Sequence, residues 1–306
     1  MSRISNEKRL PKYYRLYDQI YDNPSIPLHQ LTKNTGIARS TVSRYLREMY
    51  EHSILKGPMI FLLPAQNYHE HISLLKFDHP VKAYERFRGF PHLMYRSLCS
   101  GEWHLLLICS TLMNFSALKG VEACVLQEVK GATYLPKVTV HDWDLSMEQM
   151  RTEMAHPEEK SYLYEETSWN SWKEKEWTLY HQFKHNIRIQ AVPILKKCQI
   201  RYEHYQKWML TLTDFARIYP AFYPKGLKHY FLFDFLFKSD YQNQLVDILR
   251  LLPSTAVFFS AGAYLFARLA VLDRKEKDDL LSLIFQLGEN GYFTEFHQAM
   301  VISTSE

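Results

Sequence analysis

The sequence predicts an α+β protein made of two similar halves, each a small three-helix module followed by an α/β sheet domain. Three observations lead there. The chain repeats itself: a shift of 163 positions lays Leu16-Tyr17-x-Gln19 on Leu179-Tyr180-x-Gln182, and Asn23, Ile26, Lys33 and Ile37 on Asn186, Ile189, Lys196 and Ile200. Pro91 and Gly101 then match Pro253 and Gly262 at offsets of 162 and 161, so the register drifts by only two residues. The apolar spacing switches between a helical period and a period of two in the same order in each half. Finally, 306 residues with 46% hydrophobic and 23% charged side chains have the balance of a globular chain long enough for two to four modules. A unit this long is no solenoid repeat, whose units run to about 20–50 residues, so the chain reads as a covalent pseudo-dimer.

In the first half, Tyr13 to Asp22 carries Tyr13, Leu16, Tyr17 and Ile20 at helical spacing, and Asn23-Pro24-Ser25 stops that helix. Pro27 suits the entrance of a second helix with Leu28 and Leu31 on its buried stripe, which Gly36 ends by taking a positive φ. A third helix, Ala38 to Met49, turns Val42, Tyr45, Leu46 and Met49 inward and leaves Arg39, Ser40, Thr41, Ser43, Arg44 and Arg47 outside. Ile54 to Leu63, interrupted by Gly57-Pro58, predicts a short two-stranded wing or connector. Helix, helix, tight turn, helix and wing make a winged helix-turn-helix.

A strand follows at Ile72–Phe77, a helix at Val81–Phe90, and a hairpin of Leu93–Leu98 and Trp103–Ser110 about Ser100-Gly101. A helix over Ser116–Val129 and a strand over Thr133–Val140 complete βαββαβ, the ferredoxin-like unit, with both helices on one sheet face. The second half repeats the plan. His229–Phe237 alternates phenylalanine against Leu232, Asp234 and Leu236, a strand pattern. Helix Gln242–Leu251, a hairpin around Gly262, helix Lys277–Leu287 and strand Phe293–Ile302 follow. The expected domains are residues 1–63 (winged helix), 64–145 (ferredoxin-like), 146–175 (acidic linker), 176–226 (second, degenerate winged helix) and 227–306 (second ferredoxin-like).

Charge is distributed unevenly about a net +4: residues 1–60 hold ten Lys/Arg against five Asp/Glu, whereas Asp142 to Trp177 hold ten acids against four bases. The N-terminal module attracts a polyanion and the middle repels one. Cys99, Cys109, Cys124 and Cys198 form no CxxC pair and the start MSRISNEKRL lacks a signal-peptide core, which places the chain in a reducing cytoplasm. Ser254–Leu272 is apolar but contains Arg268 and Ala261-Gly262-Ala263, and its counterpart Met94–Ser110 carries Arg96, Glu102 and His104. Both read as strand–turn–strand, not as membrane spans. His69-x-His71 and His181-x-x-x-His185 lack a third ligand at a metal-site interval. With no phosphate loop and no nucleophile elbow, neither a metal nor a cofactor is expected.

The third helix carries the strongest site signal. Arg39, Arg44 and Arg47 neutralise phosphates or bridge guanine edges, while Ser40, Thr41 and Ser43 are short enough to bond bases without filling the major groove. Lys33 on the preceding helix adds a cation, and Leu31-x-Lys33-x-x-Gly36-Ile37 sets the tight turn. The competing reading is an ordinary solvated basic face. In the second copy Gly36 becomes Gln199 and Ser40 becomes Glu203, and the exposed positions become Arg201, His204 and Lys207 among Tyr202, Tyr205 and Trp208. That module reads as scaffold or dimerisation surface.

Ile26 to Ser40, with Leu31-Thr32-Lys33 and Gly36-Ile37, followed by an α/β module with Pro91 ahead of a strand and a turn at Gly101, resembles the Lrp/AsnC (leucine-responsive/asparagine regulator) family. Each half is similar to one subunit. The resemblance implies a DNA-binding transcriptional regulator, not an enzyme, working on double-stranded DNA as a homodimer or larger assembly. It further implies sheets paired face to face, and a small effector such as an amino acid bound near Gly101 and Gly262. Pro27 and Ala38 depart from the family's helix-capping serines, and the acidic linker has no family equivalent. The alternative is the siroheme decarboxylases, which share this architecture and whose second strand Pro91-His92-x-x-Tyr95-Arg96, with Trp103, is similar. There Arg96 would clamp a porphyrin carboxylate and His92 would act as acid or ligand. A ligand-sensing scaffold that binds no DNA is the third reading.

Overall fold

The computed structural model describes residues 9–305 apart from Ser116, His141 and Glu158. A winged helix-turn-helix at the N-terminus is followed by an α/β domain, and the second half repeats that plan with one helix more between the last two strands of its α/β domain. The first module comprises α1 (Leu10–Asp22), α2 (Leu28–Thr35), α3 (Arg39–Glu51) and β1 (Leu55–Leu62). Pro11 opens α1 where a missing N–H costs nothing, and Gly36 ends α2 at φ +65° with its N–H donating to the Thr32 carbonyl. Tyr13, Leu16, Tyr17 and Ile20 of α1 meet Leu31, Val42 and Met49, all buried. Each side chain buried here contributes about 1.5–3 kcal/mol.

The second module comprises α6 (Glu174–Phe183), α7 (Ala191–Cys198), α8 (Tyr202–Thr211) and β6 (Ala216–Phe222). Helices α2 and α7 are 163 residues apart at both ends, and α3 and α8 are 163 apart at their starts. Gln199 ends α7 in the left-handed conformation, φ +56°, where Gly36 ends α2. A side chain there costs about 1–2 kcal/mol, partly offset by glycine's greater unfolded-state freedom. Gln199→Gly is therefore expected to stabilise the protein by about 0.5–1 kcal/mol, read as a higher urea midpoint. A lower midpoint contradicts this account.

The expected two-stranded wing is instead one strand. Gly57-Pro58 makes no hairpin; it is a register break within β1, between Lys56 and Met59. The partner of β1 is β6 of the other half, antiparallel from Leu55↔Phe222 to Leu62↔Ala216. Each strand packs into both modules: Phe222 stacks on Tyr17 at 4.7 Å in the first core, and Ile60 and Leu62 enter the second. Arg188 ties the modules further, its guanidinium donating to the Pro24 carbonyl at 3.1 Å and the Ile26 carbonyl at 2.8 Å in the turn between α1 and α2. Arg188→Ala removes two charge-assisted bonds from a half-buried site and should cost about 1–3 kcal/mol in a urea melt. No change would mean that water replaces both bonds.

The second α/β domain is a complete βαββαβ unit: β7 (Phe231–Lys238), α9 (Gln242–Leu249), β8 (Val257–Ala261), β9 (Tyr264–Val271), α10 (Arg274–Glu289) and β10 (Glu295–Ser305). The first comprises β2 (Glu70–Phe77), α4 (Pro80–Arg86), β3 (Leu93–Gly101), β4 (Leu105–Cys109) and β5 (Val121–Lys130), with no second helix among the described residues. The helix expected over Ser116–Val129 is thus corrected to strand β5; Ser116 itself lies outside the described residues. Val121, Val125 and Val129 are spaced by four, which satisfies a helix and a strand alike, and pairing with β2 from Phe77↔Val121 to Glu70↔Lys130 decides the matter. The strand expected over Thr133–Val140 is an extended segment with a single bridge, Tyr134↔Phe258, because Pro136 lacks an N–H for a ladder. Part of it serves the first module instead: Tyr21 donates to the Leu135 carbonyl at 2.7 Å and Val138 is buried in the α1–α3 core.

The two sheets do not stack face to face as the resemblance implied. Their edges join, β10 to β3 and β5 to β8, closing an eight-stranded barrel in the order β10-β3-β4-β2-β5-β8-β9-β7. Ile72, Leu74, Leu106, Leu236, Phe259 and Phe266 fill its interior. The acidic stretch is not wholly a linker: α5 (Trp143–Glu153) crosses its expected start at residue 146 and buries Trp143, Met147 and Met150 against α9 and α10. Asp142 caps it, accepting from the Leu145 N–H at 3.0 Å. No helix among the described residues is long and apolar enough to cross a membrane, and the apolar Ser254–Leu272 stretch forms the β8–β9 hairpin.

Candidate nucleic-acid interface

The outward face of α3 is built by what its inward face needs. Val42, Tyr45 and Met49 are drawn against α1 and α2, which leaves Arg39, Ser40, Ser43, Arg44 and Arg47 exposed and Thr41 half-buried at the rim. Lys33, one turn before the end of α2, is exposed beside them. The seven residues expected from the sequence therefore belong to the exposed surface of one helix-turn-helix.

The acids of α3 are turned aside. Glu48 is pinned inward, accepting from the Tyr13 hydroxyl at 2.7 Å and the Arg9 guanidinium at 3.1 Å, with Arg44 at 3.9 Å. Burial and this carboxylate push Tyr13 up to about 12, so it stays a hydrogen-bond donor at neutral pH. Glu51 lies at the far end, 3.9 Å from Arg47, in an exposed pair worth little. The face toward solvent is cations and short hydroxyls, the pairing that phosphates and groove edges accept.

The second module offers something else at the matching positions. Tyr202 and Glu203 stand where Arg39 and Ser40 do, and Leu210, 82% exposed, stands where Arg47 does. His204 is 2.8 Å from Glu176 of its own module, and Trp208 is buried. This surface is aromatic and apolar, with charges of both signs.

Gly101 and Gly262 sit at the β3–β4 and β8–β9 hairpins. Gly101 has φ +144°, and a Cβ there would lie 2.6 Å from the Gln298 carbonyl oxygen of β10, so only glycine lets β3 and β10 approach. Neither glycine borders the cavity that lies between the β1–β6 ladder and the barrel. Nor do two residues raised by the decarboxylase resemblance: His92 is exposed in the turn before β3, and Arg96 is buried against α4, donating to the Tyr84 carbonyl and lying 4.1 Å from the Tyr84 ring centre. Tyr95, between them, does face the cavity.

The cavity has a volume of about 240 Å³. Its polar groups come from segments far apart along the chain, β1, β2, β5, β9 and the end of α6, and no local pattern joins them. Asp234 is fully buried and accepts from Arg268 Nε at 2.6 Å and Nη2 at 2.8 Å; Arg268 also donates to the Tyr95 hydroxyl. Lys130 meets Glu70 at 2.9 Å and lies 5.1 Å from the Phe259 ring centre. One signal was legible: Asp234 shares the barrel-facing side of β7 with Leu232 and Leu236, and a carboxylate there demands a cation.

Residues 14–55 match the family model described as winged helix-turn-helix DNA-binding, which covers α1 after its first turn, α2, α3 and the start of β1. No curated protein sequence matches the chain. Among solved structures, the siroheme decarboxylase NirDL is similar with a TM-score of 0.51 and 12% identity, covering 95% of this chain and 91% of that one. The same decarboxylase in co-complex with an iron-uroporphyrin III analogue gives 0.50 and 10%, covering 95% and 92%. At that identity the likeness speaks to the fold alone: the chain carries a winged helix-turn-helix module on an α/β architecture that it shares with NirDL over nearly its whole length.

Proposed function

We propose that the protein is a cytoplasmic, sequence-specific transcriptional regulator of Lrp/AsnC type, not an enzyme, whose first winged helix reads double-stranded DNA. The observation that carries this reading is the face of α3, where Arg39, Ser40, Ser43, Arg44 and Arg47 are exposed together while its acids are pinned or displaced. The match of residues 14–55 to a DNA-binding model supports it. The two halves derive from one duplicated subunit, and the trailing winged helix has given up its groove-reading side chains. With one reader per chain, a palindromic site needs two chains, spaced by whole helical turns. An effector such as an amino acid acts at the Gly101 and Gly262 hairpins.

Selection from a random duplex pool tests this directly. Enrichment of a motif with two half-sites, with affinity falling steeply with salt, is the expected result. Failure to enrich any motif above the starting pool refutes it. The second reading, a siroheme decarboxylase-like enzyme, draws support from the NirDL likeness; against it, His92 and Arg96 do not reach the cavity. A saturable shift of the visible absorption band on titration with an iron tetrapyrrole, with no motif enriched, would favour it. A ligand-sensing scaffold predicts neither outcome.

A further inference from the structure

The two α/β domains differ in what covers their first helix. Helices α4 and α9 start 162 residues apart, at Pro80 and Gln242, the interval that also separates Pro91 from Pro253. At that interval Asp78 stands for Asp240, Lys82 for Gln244, Arg86 for Ile248 and Phe87 for Leu249. In the second domain α5 and α10 share one core with α9, and residues 159–163 lie as an extended strap across its start. The Ser161 N–H donates to the Asp240 carbonyl at 2.8 Å, and the Gln242 N–H donates to the Ser161 carbonyl at 2.7 Å. Side chains complete the seat: Lys160 and the Tyr162 hydroxyl donate to the Asp240 carboxylate at 2.5 and 2.9 Å, and Gln244 donates to the Glu159 carbonyl at 3.3 Å. Ile248 and Leu249 are buried under this cover.

The first domain has the seat without the strap. A groove of about 600 Å³ opens between α4 and the turn before β5. Its floor is aromatic: the Phe77 and Phe87 rings are buried with centres 6.2 Å apart, Phe90 lies 5.1 Å from Phe87, and Leu118 stands exposed at the rim. Lys82, Arg86 and Lys119 line the groove and are exposed, where the matching Gln244 and Ile248 are covered. None of these three cationic side chains has a hydrogen-bond or ion-pair partner among the described residues. Lys82 and Arg86 share one face of α4, one turn apart. Asp78 is the one carboxylate lining the groove among the described residues, so its field is net positive.

We infer that this groove is a docking site for an extended acidic peptide segment of a partner protein. The strap on α9 supplies the pattern. A backbone N–H of the segment donates to the Asp78 carbonyl, as Ser161 does to Asp240, and an acid takes the place of Glu159 and meets Lys82. Further acids reach Arg86 and Lys119, and an apolar side chain covers Phe90 and Leu118. Pro80 has no N–H to return the second backbone bond that Gln242 makes, so charge-assisted contacts carry more of the affinity here than the ladder does. The groove is separate from the α3 face, and the inference stands whether or not α3 reads DNA.

The probe is the strap itself supplied as a free peptide, Glu-Lys-Ser-Tyr-Leu-Tyr-Glu-Glu, residues 159–166, titrated into the full-length protein by calorimetry. The control peptide carries glutamine for every glutamate. Saturable one-to-one binding of the acidic peptide is expected, with the control weaker by at least about tenfold, the worth of one charge-assisted hydrogen bond. Lys82→Glu with Arg86→Glu, both at exposed positions, should abolish binding while the thermal melt stays native. Arg274→Glu, an equally exposed reversal on α10, should leave binding within twofold. No binding at millimolar concentration, equal binding of the glutamine peptide, or undiminished binding in the double reversal each overturns the inference. So does a double reversal that weakens duplex binding when no peptide binds, which would make the groove a phosphate contact. Self-association that the double reversal removes, again with no peptide bound, would give the groove to a second copy and overturn it as well.

Discussion

Replacing Arg39, Arg44 and Arg47 together by alanine is expected to abolish sequence-dependent duplex binding and to flatten what salt dependence remains. For every arginine–phosphate pair removed, the slope of log affinity against log salt falls by about 0.9. An arginine that bridges a guanine edge takes with it about 1–3 kcal/mol, or roughly five- to 150-fold in affinity. The fold should hardly notice, since all three side chains are exposed and their i,i+4 partners Glu48 and Glu51 lie at 3.9 Å. Exposed pairs of that kind contribute about 0.2–1 kcal/mol at most. Fluorescence anisotropy across a salt series, beside a thermal melt, separates the two effects. The matching change in the second module, Arg201 and Lys207 to alanine, should leave affinity within twofold, because Tyr202, Glu203 and Leu210 already interrupt that surface. Unaltered affinity and slope in the triple variant would remove α3 as the reading helix.

The largest stability effect is expected from Asp234→Ala. Asp234 is fully buried on β7, holds the Arg268 guanidinium through two bonds of 2.6 and 2.8 Å, and lies 3.9 Å from the Cys99 thiol. Removing it strands the Arg268 charge inside the barrel, at a cost of about 3–5 kcal/mol. That is a large share of the roughly 5–15 kcal/mol by which folded domains exceed their unfolded chains. Replacing both partners, Asp234→Leu with Arg268→Met, should restore most of the loss, since apolar pairs of similar volume often substitute without penalty. Burial, together with the same carboxylate, pushes the Cys99 thiol up to about 12. Cys99 is thus protonated and slow to alkylate at about pH 8 in the wild type. Urea unfolding of the single and double variants decides the matter, and a loss under about 1 kcal/mol in Asp234→Ala would show that water reaches Arg268 and replaces the pair.

Local signals in the chain held where one segment carries its own instructions. Gly36 ends α2 because a left-handed residue is needed there, and the repeat then placed Gln199 at the end of α7 in the same conformation. The α3 face followed from Val42, Tyr45 and Met49, whose burial leaves the arginines and serines outside, with Glu51 at the far end. Those signals failed where two periods coincide. Val121, Val125 and Val129 fit helix or strand, and only the open edge of β2 settles which. They failed again at Thr133–Val140, which makes a single bridge and divides its apolar residues, Val138 going to the first winged-helix core and Leu135 to Ala221 and Ala270.

The sequence by itself determined the helices of the first winged module, the strand, helix and hairpin that open each α/β domain and the basic character of one helix face, because each depends on interactions between residues a few positions apart. Only the tertiary structure decided that β1 pairs with β6, that the two sheets close edge to edge into one barrel, and that Lys56, Lys130, Lys184 and Arg268 gather around one cavity. Those outcomes join segments that lie far apart along the chain. They are set by which strand edges and apolar faces remain unsatisfied once the local elements have formed, and no local period records that.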